Sequence, residues 1–336
     1  MRGSRILFEA PNKARLQSFE VREPKDDEMR IKVHYTLISA GTEKAYLSAS
    51  PNTARKFPTV PGYSSVGIVE KTGSKITRFK VGDRVFVEYA GHGSYNFKRE
   101  SGVVKIPDEV PLTDAVFTRL ASFPLLALRR ARLEIGESVA VVGLGMLGLF
   151  GVQLARACGA LPVIAIGNRE IRQQKARDFG AEYVFSPDEP DIVNKIIEIT
   201  ERVNGVKGAN VVLETSGTMA GLKLGLRYAS KYARVLVNGC NRVCDEPIDF
   251  YTYVHCKGIN IIGAHDKTRL PFNSAPGNFT AKRDYITLLG LMKDGRLKPS
   301  EIRSEIVSPA DATQIYDRLL NDREFPLGVV FDWREF

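Results

Sequence analysis

Along the first 120 or so residues, apolar positions come in short alternating runs separated by Gly, Pro and Asp. Met29–Ser39 (MRIKVHYTLIS), Ser65–Gly73 (SVGIVEKTG), Val81–Tyr89 (VGDRVFVEY) and Gly102–Val110 (GVVKIPDEV) have this form. Period-two alternation places one face of each run in a core, so these stretches predict strands of a mostly antiparallel β domain. From about Ala121 the texture changes. FPLLALRRARL reads as a helix, and strand-like runs then alternate with helical ones. The strands are SVAVVG, LPVIAIG, EYVFS, ANVVLETSG, YARVLVNG and INIIGAH; the helices include REIRQQKARDFG and PDIVNKIIEITERVNG. Such alternation predicts βαβ units on a doubly wound parallel sheet. After about Leu270 a helix (KRDYITLLGLMKDG), a strand, a second helix (ADATQIYDRLLND) and a last strand (LGVVFDW) follow. The expected fold is α/β.

One junction carries chemistry. The strand VAVV runs into Gly143-Leu144-Gly145-Met146-Leu147-Gly148 and then into the helical stretch LGLFGVQLARACGA. Gly143 allows the tight turn, Gly145 lets backbone approach a pyrophosphate, and Gly148 lets the helix pack on the strand. The helix start, with Met146 and Leu147, offers free N–H groups and a positive dipole to phosphates. Three glycines alone are weak evidence; their strand–turn–helix setting is what makes them a dinucleotide-binding pattern.

Composition adds bounds. The formal net charge is +9, but no block of like charges and no nucleic-acid-binding motif accompanies it, so a phosphorylated cofactor or acidic substrate is the expected anion. No apolar run reaches the length of a membrane span, and the N-terminus lacks a secretory pattern. Cys158 is expected as a small buried hydrophobe, and Cys240, Cys244 and Cys256 lack the spacing of a zinc site. The chain is expected to be reduced and cytoplasmic, without nucleic-acid or membrane partners.

Three stretches together resemble the medium-chain dehydrogenase/reductase family: residues 57–85 (FPTVPGYSSVGIVEKTGSKITRFKVGDRV), 127–160 and 288–302 (LLGLMKDGRLKPSEI). The resemblance runs over nearly the whole chain and is similar to the alcohol/polyol dehydrogenase branch. It implies a GroES-like, mostly β catalytic domain over residues 1–121, a Rossmann domain over 122–269 and a return to the catalytic domain over 270–336. ISAGTE and GYSSVG also resemble zincless members locally.

Against that resemblance, the zinc ligands are missing. Where metal-dependent members carry Cys-Gly-Thr-Asp and Gly-His-Glu, this chain has Ala40-Gly41-Thr42-Glu43 and Gly62-Tyr63-Ser64, and the third ligand falls near Thr118–Arg119. Zinc needs three Cys, His or carboxylate ligands, which this set does not supply, so a zinc-independent member is expected. Another group must then act on the substrate oxygen. Thr42 matches the family's relay threonine, Tyr63 can donate its phenol, and His92 in GHGSY is a candidate acid/base. Each also has a structural reading: a cap for Thr42, space filling for Tyr63, a loop hydrogen bond for His92.

By the family's spacing, the place of the acid that grips the adenosine 2′-OH is taken by Gly167, followed by Asn168, Arg169 and Arg172. A small residue leaves room for a 2′-phosphate and arginine can bind it, which points to NADP(H). The resemblance adds Thr215 and Ser216 of ETSG, Gly239 of VNGC and Gly263 of GAHD as cofactor contacts. The expected function is NADP(H)-dependent hydride transfer with a small carbonyl or alcohol substrate. Enone or quinone reduction and catalytically silent NADPH binding are the alternatives. The family implies a homodimer through the edge strand INIIGAH.

Overall fold

A Pro11-Asn12 turn, with Asn12 in the left-handed region at φ 60°, folds the start of the chain back on itself. It joins β1 (Arg2–Ala10) to β2 (Lys13–Glu20) in an antiparallel hairpin that the alternation analysis did not single out. The computed structural model describes residues 1–275 and 278–336. β3 (Met29–Leu37) follows and alternates buried and half-buried positions, as the pattern predicts. Within ISAGTE the chain turns at Ala40 into helix α1 (Ala40–Leu47). Its Glu43 carboxylate accepts the backbone N–H of Ser39 at 2.7 Å, a reach back to the N-cap that secures a short helix. Then come β4 (Ser64–Thr72), β5 (Arg84–Glu88), β6 (Tyr95–Lys98), β7 (Val103–Lys105), the short α2 (Leu112–Ala115) and α3 (Thr118–Ala131).

The alternating second part forms β8 (Val139–Val142), α4 (Met146–Ala157), β9 (Val163–Ile166), α5 (Glu170–Asp178), β10 (Tyr183–Phe185) and α6 (Ile192–Asn204). It continues through β11 (Ala209–Glu214), α7 (Met219–Tyr228), β12 (Ala229–Val237) and β13 (Asn260–Gly263). All neighbouring pairs are parallel, in the order β10-β9-β8-β11-β12-β13. The direction of winding reverses between β8 and β11, which is where ligands bind in such sheets. β8 and β9 are apolar at every position and buried throughout, as a sheet covered on both faces requires. Cys158 corrects its expectation: it lies past the last turn of α4 and is exposed.

The chain ends with α8 (Ala281–Lys293), β14 (Glu305–Val307), α9 (Ala312–Asn321) and β15 (Val329–Asp332). β14 and β15 extend the first sheet, whose order is β14-β15-β3-β4-β5-β7, with β6 paired to β3. One compact unit comprises Met1–Leu120 with Tyr285–Phe336, and the other Ala121–Asp284. The expected return at 270 falls inside the second unit. An ion-pair cluster accounts for the difference: Arg269 pairs with Asp266 and with the fully buried Asp284, which also meets Arg129.

Candidate active site

In the first unit, the residues at the expected metal positions come together without forming a metal site. The Tyr63 hydroxyl donates to Ser39 Oγ, and Thr42 is its second hydrogen-bonding neighbour. Burial pushes the Tyr63 phenol up to about 12, while the Ser39 and Thr42 hydrogen bonds and the Arg119 charge pull the other way. The phenol is therefore a neutral donor at ordinary pH. Ala40 and the Thr118–Arg119 pair offer no Cys, His or carboxylate, so this set does not fit zinc. Among the described residues, no group of three or more His, Cys, Asp or Glu stands together to hold a metal ion.

Behind Tyr63 lies a second layer. His92 is 0% exposed and packs directly beneath Gly62, where a Cβ would lie 2.8 Å from the imidazole. Gly62 also has φ +95°, so glycine is required there twice over. His92 Nδ1 lies 2.6 Å from Thr36 Oγ1, which also accepts the Trp333 indole N–H at 2.8 Å. His92 Nε2 lies 3.1 Å from the Glu43 carboxylate, whose same oxygen accepts the Tyr316 hydroxyl at 2.6 Å. Burial and the Glu43 carboxylate together drive the Tyr316 phenol well above its ordinary range. The structure thus puts His92 in the interior with both ring nitrogens engaged, whereas the sequence reading placed it in a loop facing the reaction. Its geometry is that of a support: His92 holds Glu43, Glu43 holds the Ser39 backbone, and Ser39 meets the Tyr63 hydroxyl.

One residue of this region was passed over as a mere non-ligand. Arg119, 2% exposed, donates to the Tyr285 hydroxyl, which donates onward to Glu88 at 2.7 Å. Its guanidinium carbon lies 4.4 Å from the Tyr89 ring centroid and 6.0 Å from that of Tyr63. A basic residue inside an apolar helical run, at a former ligand position, was the available signal.

In the second unit the glycine turn is built as the motif requires. Gly143 has φ +93°, and a Cβ on it would lie 2.6 Å from the Ser216 nitrogen; one on Gly148 would overlap the Gly143 carbonyl oxygen. Gly145 differs: a Cβ there would meet nothing within 4 Å. It is the N-cap of α4, so the open space lies over the helix start formed by Met146 and Leu147. A helix N-terminus with that clearance could hold a pyrophosphate. Thr215 braces the turn by donating to the Val142 and Gly143 carbonyls at 2.9 and 2.7 Å. Ser216 donates to the buried Glu214 and lies 2.9 Å from Thr218. A Cβ on Gly239 would collide with Gly217, whereas Gly263, at the end of β13, is open.

The Gly167 position behaves differently from its expectation. A Cβ there would lie 2.7 Å from the Leu144 side chain, so the room that glycine frees is filled by Leu144. Asn168 is exposed, Arg169 is the half-buried N-cap of α5, and Arg172 stands one turn on. The nearby Glu170 pairs with Arg177 at 3.1 Å.

The chain belongs to the medium-chain dehydrogenase/reductase family. Residues 25–108 match the alcohol dehydrogenase GroES-like domain, and residues 147–271 match the zinc-binding dehydrogenase domain. It is thereby an alcohol/polyol dehydrogenase-like oxidoreductase with the fold for a nicotinamide cofactor. It is 28% identical to (R,R)-butanediol dehydrogenase of Bacillus subtilis over 244 residues, covering 62% of this chain and 69% of that one. An oxidoreductase/dehydrogenase of unknown specificity from Escherichia coli has the same fold, with TM-score 0.86, 20% identity and 99% of each chain covered. A candidate zinc-binding dehydrogenase from Sinorhizobium meliloti, solved with NADP, superposes with TM-score 0.83 at 20% identity, again over 99% of each chain. Among the described residues, no helix is long and apolar enough to cross a membrane.

Proposed function

We propose that this protein is a zinc-independent oxidoreductase that exchanges hydride between NADP(H) and a ketone or secondary alcohol. The observation that carries this reading is the Tyr63 hydroxyl: it stands at a zinc-ligand position, kept protonated by burial and hydrogen-bonded to Ser39 and Thr42. The nicotinamide, when bound, supplies or takes the hydride. Tyr63 then donates a proton to the substrate oxygen during reduction, or accepts it during oxidation, and Ser39 and Thr42 pass it on. His92 and Glu43 hold that hydroxyl cluster in place.

The turn Gly143–Gly148 would take the pyrophosphate, with Gly145 leaving the space and α4 supplying the N–H groups. Arg169, Arg172 and Asn168 would face a 2′-phosphate, with no carboxylate at the end of β9 to repel it and Glu170 engaged by Arg177. Relatives named for alcohols and polyols, and the NADP bound to the Sinorhizobium protein, support the choice of reaction and cofactor. The substrate is a small molecule, the protein is cytoplasmic, and the assembly is a homodimer.

The test is a fluorescence titration with NADPH and NADH side by side, metal analysis of the same sample, and an NADPH-dependent carbonyl panel. Tight NADPH binding, weak NADH binding, no stoichiometric zinc and turnover of a ketone are expected. Stoichiometric zinc or a preference for NADH would overturn it.

A further inference from the structure

The first unit holds a buried cation beside the Tyr63 phenol. Arg119 is the second residue of α3, next to Thr118, and three tyrosine rings surround it. Its guanidinium carbon is 4.4 Å from the Tyr89 centroid, 5.9 Å from that of Tyr285 and 6.0 Å from that of Tyr63. The Tyr285 hydroxyl takes one of its N–H groups and hands its own proton toward Glu88, so the counter-charge stands one phenol further off, 4.0 Å from the nearest guanidinium nitrogen.

Tyr89 is an independent sign that the arrangement is built. It adopts φ +49°, a region that a bulky residue occupies only when its surroundings force it. Its N–H bonds to the Tyr63 carbonyl at 3.1 Å, and Lys98 caps its carbonyl at 2.9 Å. The residue is 58% exposed, yet its ring lies against Arg119. Held this way, Tyr89 ties the Tyr63 backbone and the guanidinium into one piece.

A buried, aromatic-walled guanidinium cannot be neutralised, and in such surroundings its field acts strongly over a few ångströms. We propose that Arg119 is the site's fixed cation: it stabilises the negative charge that develops on the substrate oxygen and the Tyr63 phenol as a proton passes between them. It is a positioning residue acting through Tyr63, and it takes over the electrostatic part of the work done by a metal. The charged groups acting on the phenol are Glu43 from α1 and Arg119 from α3, while Glu88 from β5, Tyr89 after it and Tyr285 from α8 stand around the guanidinium. Only Arg119 among them favours the anion. Burial holds the phenol high, and the guanidinium is one of the influences drawing it down.

The inference rests on the reading of Tyr63 as the proton donor, and the experiment separates the two. 3,5-Difluorotyrosine placed at position 63 titrates several units below tyrosine and reports through its fluorine NMR signal without any substrate. In the full-length protein, Arg119→Met should raise its apparent pKa by about one unit or more, a tenfold change in proton affinity. Arg119→Lys should recover part of the shift. Glu88→Gln removes the counter-charge and should lower the value, and it decides alone if Arg119→Met does not fold. An unshifted fluorine pKa in a folded Arg119→Met variant, or in the folded Glu88→Gln variant, overturns the proposal. Normal turnover by Tyr63→Phe would instead sink the reading of Tyr63, whatever the fluorine signal does.

Discussion

His92 Nε2 lies 3.1 Å from Glu43 Oε2, and neither side chain reaches solvent. Removing the imidazole takes a buried hydrogen-bonding partner from Glu43 and from Thr36, so His92→Ala should cost about 1–3 kcal/mol of stability or more. Denaturant melts of the two proteins check this. A loss well under about 1 kcal/mol would mean that Glu43 does not depend on His92.

Tyr63 sits one layer nearer the surface, and its removal should act on chemistry. Tyr63→Phe should lower kcat by roughly 10²-fold or more, with NADPH affinity and melting temperature close to those of the parent. Steady-state kinetics on whichever ketone the carbonyl panel identifies provide the measurement.

Two glycines of one motif should fail in different ways. Gly145→Ala meets no atom within 4 Å and has an ordinary φ of −77°, so the variant should fold normally. Its methyl group would stand where the pyrophosphate belongs, and NADPH affinity should fall about tenfold or more. Gly148→Ala overlaps the Gly143 carbonyl and should destabilise the second unit by about 1–3 kcal/mol. Equal melting temperatures for the two variants would contradict this division.

Arg169→Ala should weaken NADPH binding by about tenfold and leave NADH binding nearly unchanged, since the loss of a charge-assisted contact concerns only the 2′-phosphate. Side-by-side titrations decide. A parallel loss for both cofactors would assign Arg169 to the fold of α5.

Glu214 offers a pH-dependent test. It is fully buried, its Oε2 has no hydrogen-bond partner among the described residues, and burial raises its pKa against the pull of Ser216 and Gly217. A raised folded value means that the native state holds the proton more tightly than the unfolded chain. Stability is therefore lost as pH rises from the ordinary carboxylate range through the folded value. Glu214→Gln cannot lose that proton, so its stability relative to the parent should improve as pH rises from 4 to 8. Parallel stability curves would show that Glu214 titrates normally.

The sequence by itself determined the parallel sheet, the main strands of the larger antiparallel one and the glycine turn, because these rest on local rules; the β1–β2 hairpin escaped it. Alternation buries one face of β3, continuous apolar runs bury both faces of β8 and β9, and Gly143 and Gly148 are demanded by contacts within one strand–turn–helix. That Ala40, Tyr63 and Thr118–Arg119 stand where metal-dependent members carry ligands was legible for the same reason: a ligand is a residue type at a position. What the tertiary structure alone decided is which side chains meet across the chain. His92 turns inward because Thr36 and Glu43, both remote in sequence, satisfy its two nitrogens there. Leu144 fills the room beside Gly167, a fact of packing that no spacing reveals. Arg119 read only as a residue that cannot bind zinc, and it is Tyr285, 166 residues away, and Glu88 that hold it beside Tyr63. Hydrogen bonds and charges act over a few ångströms of space, and only the folded chain sets those distances.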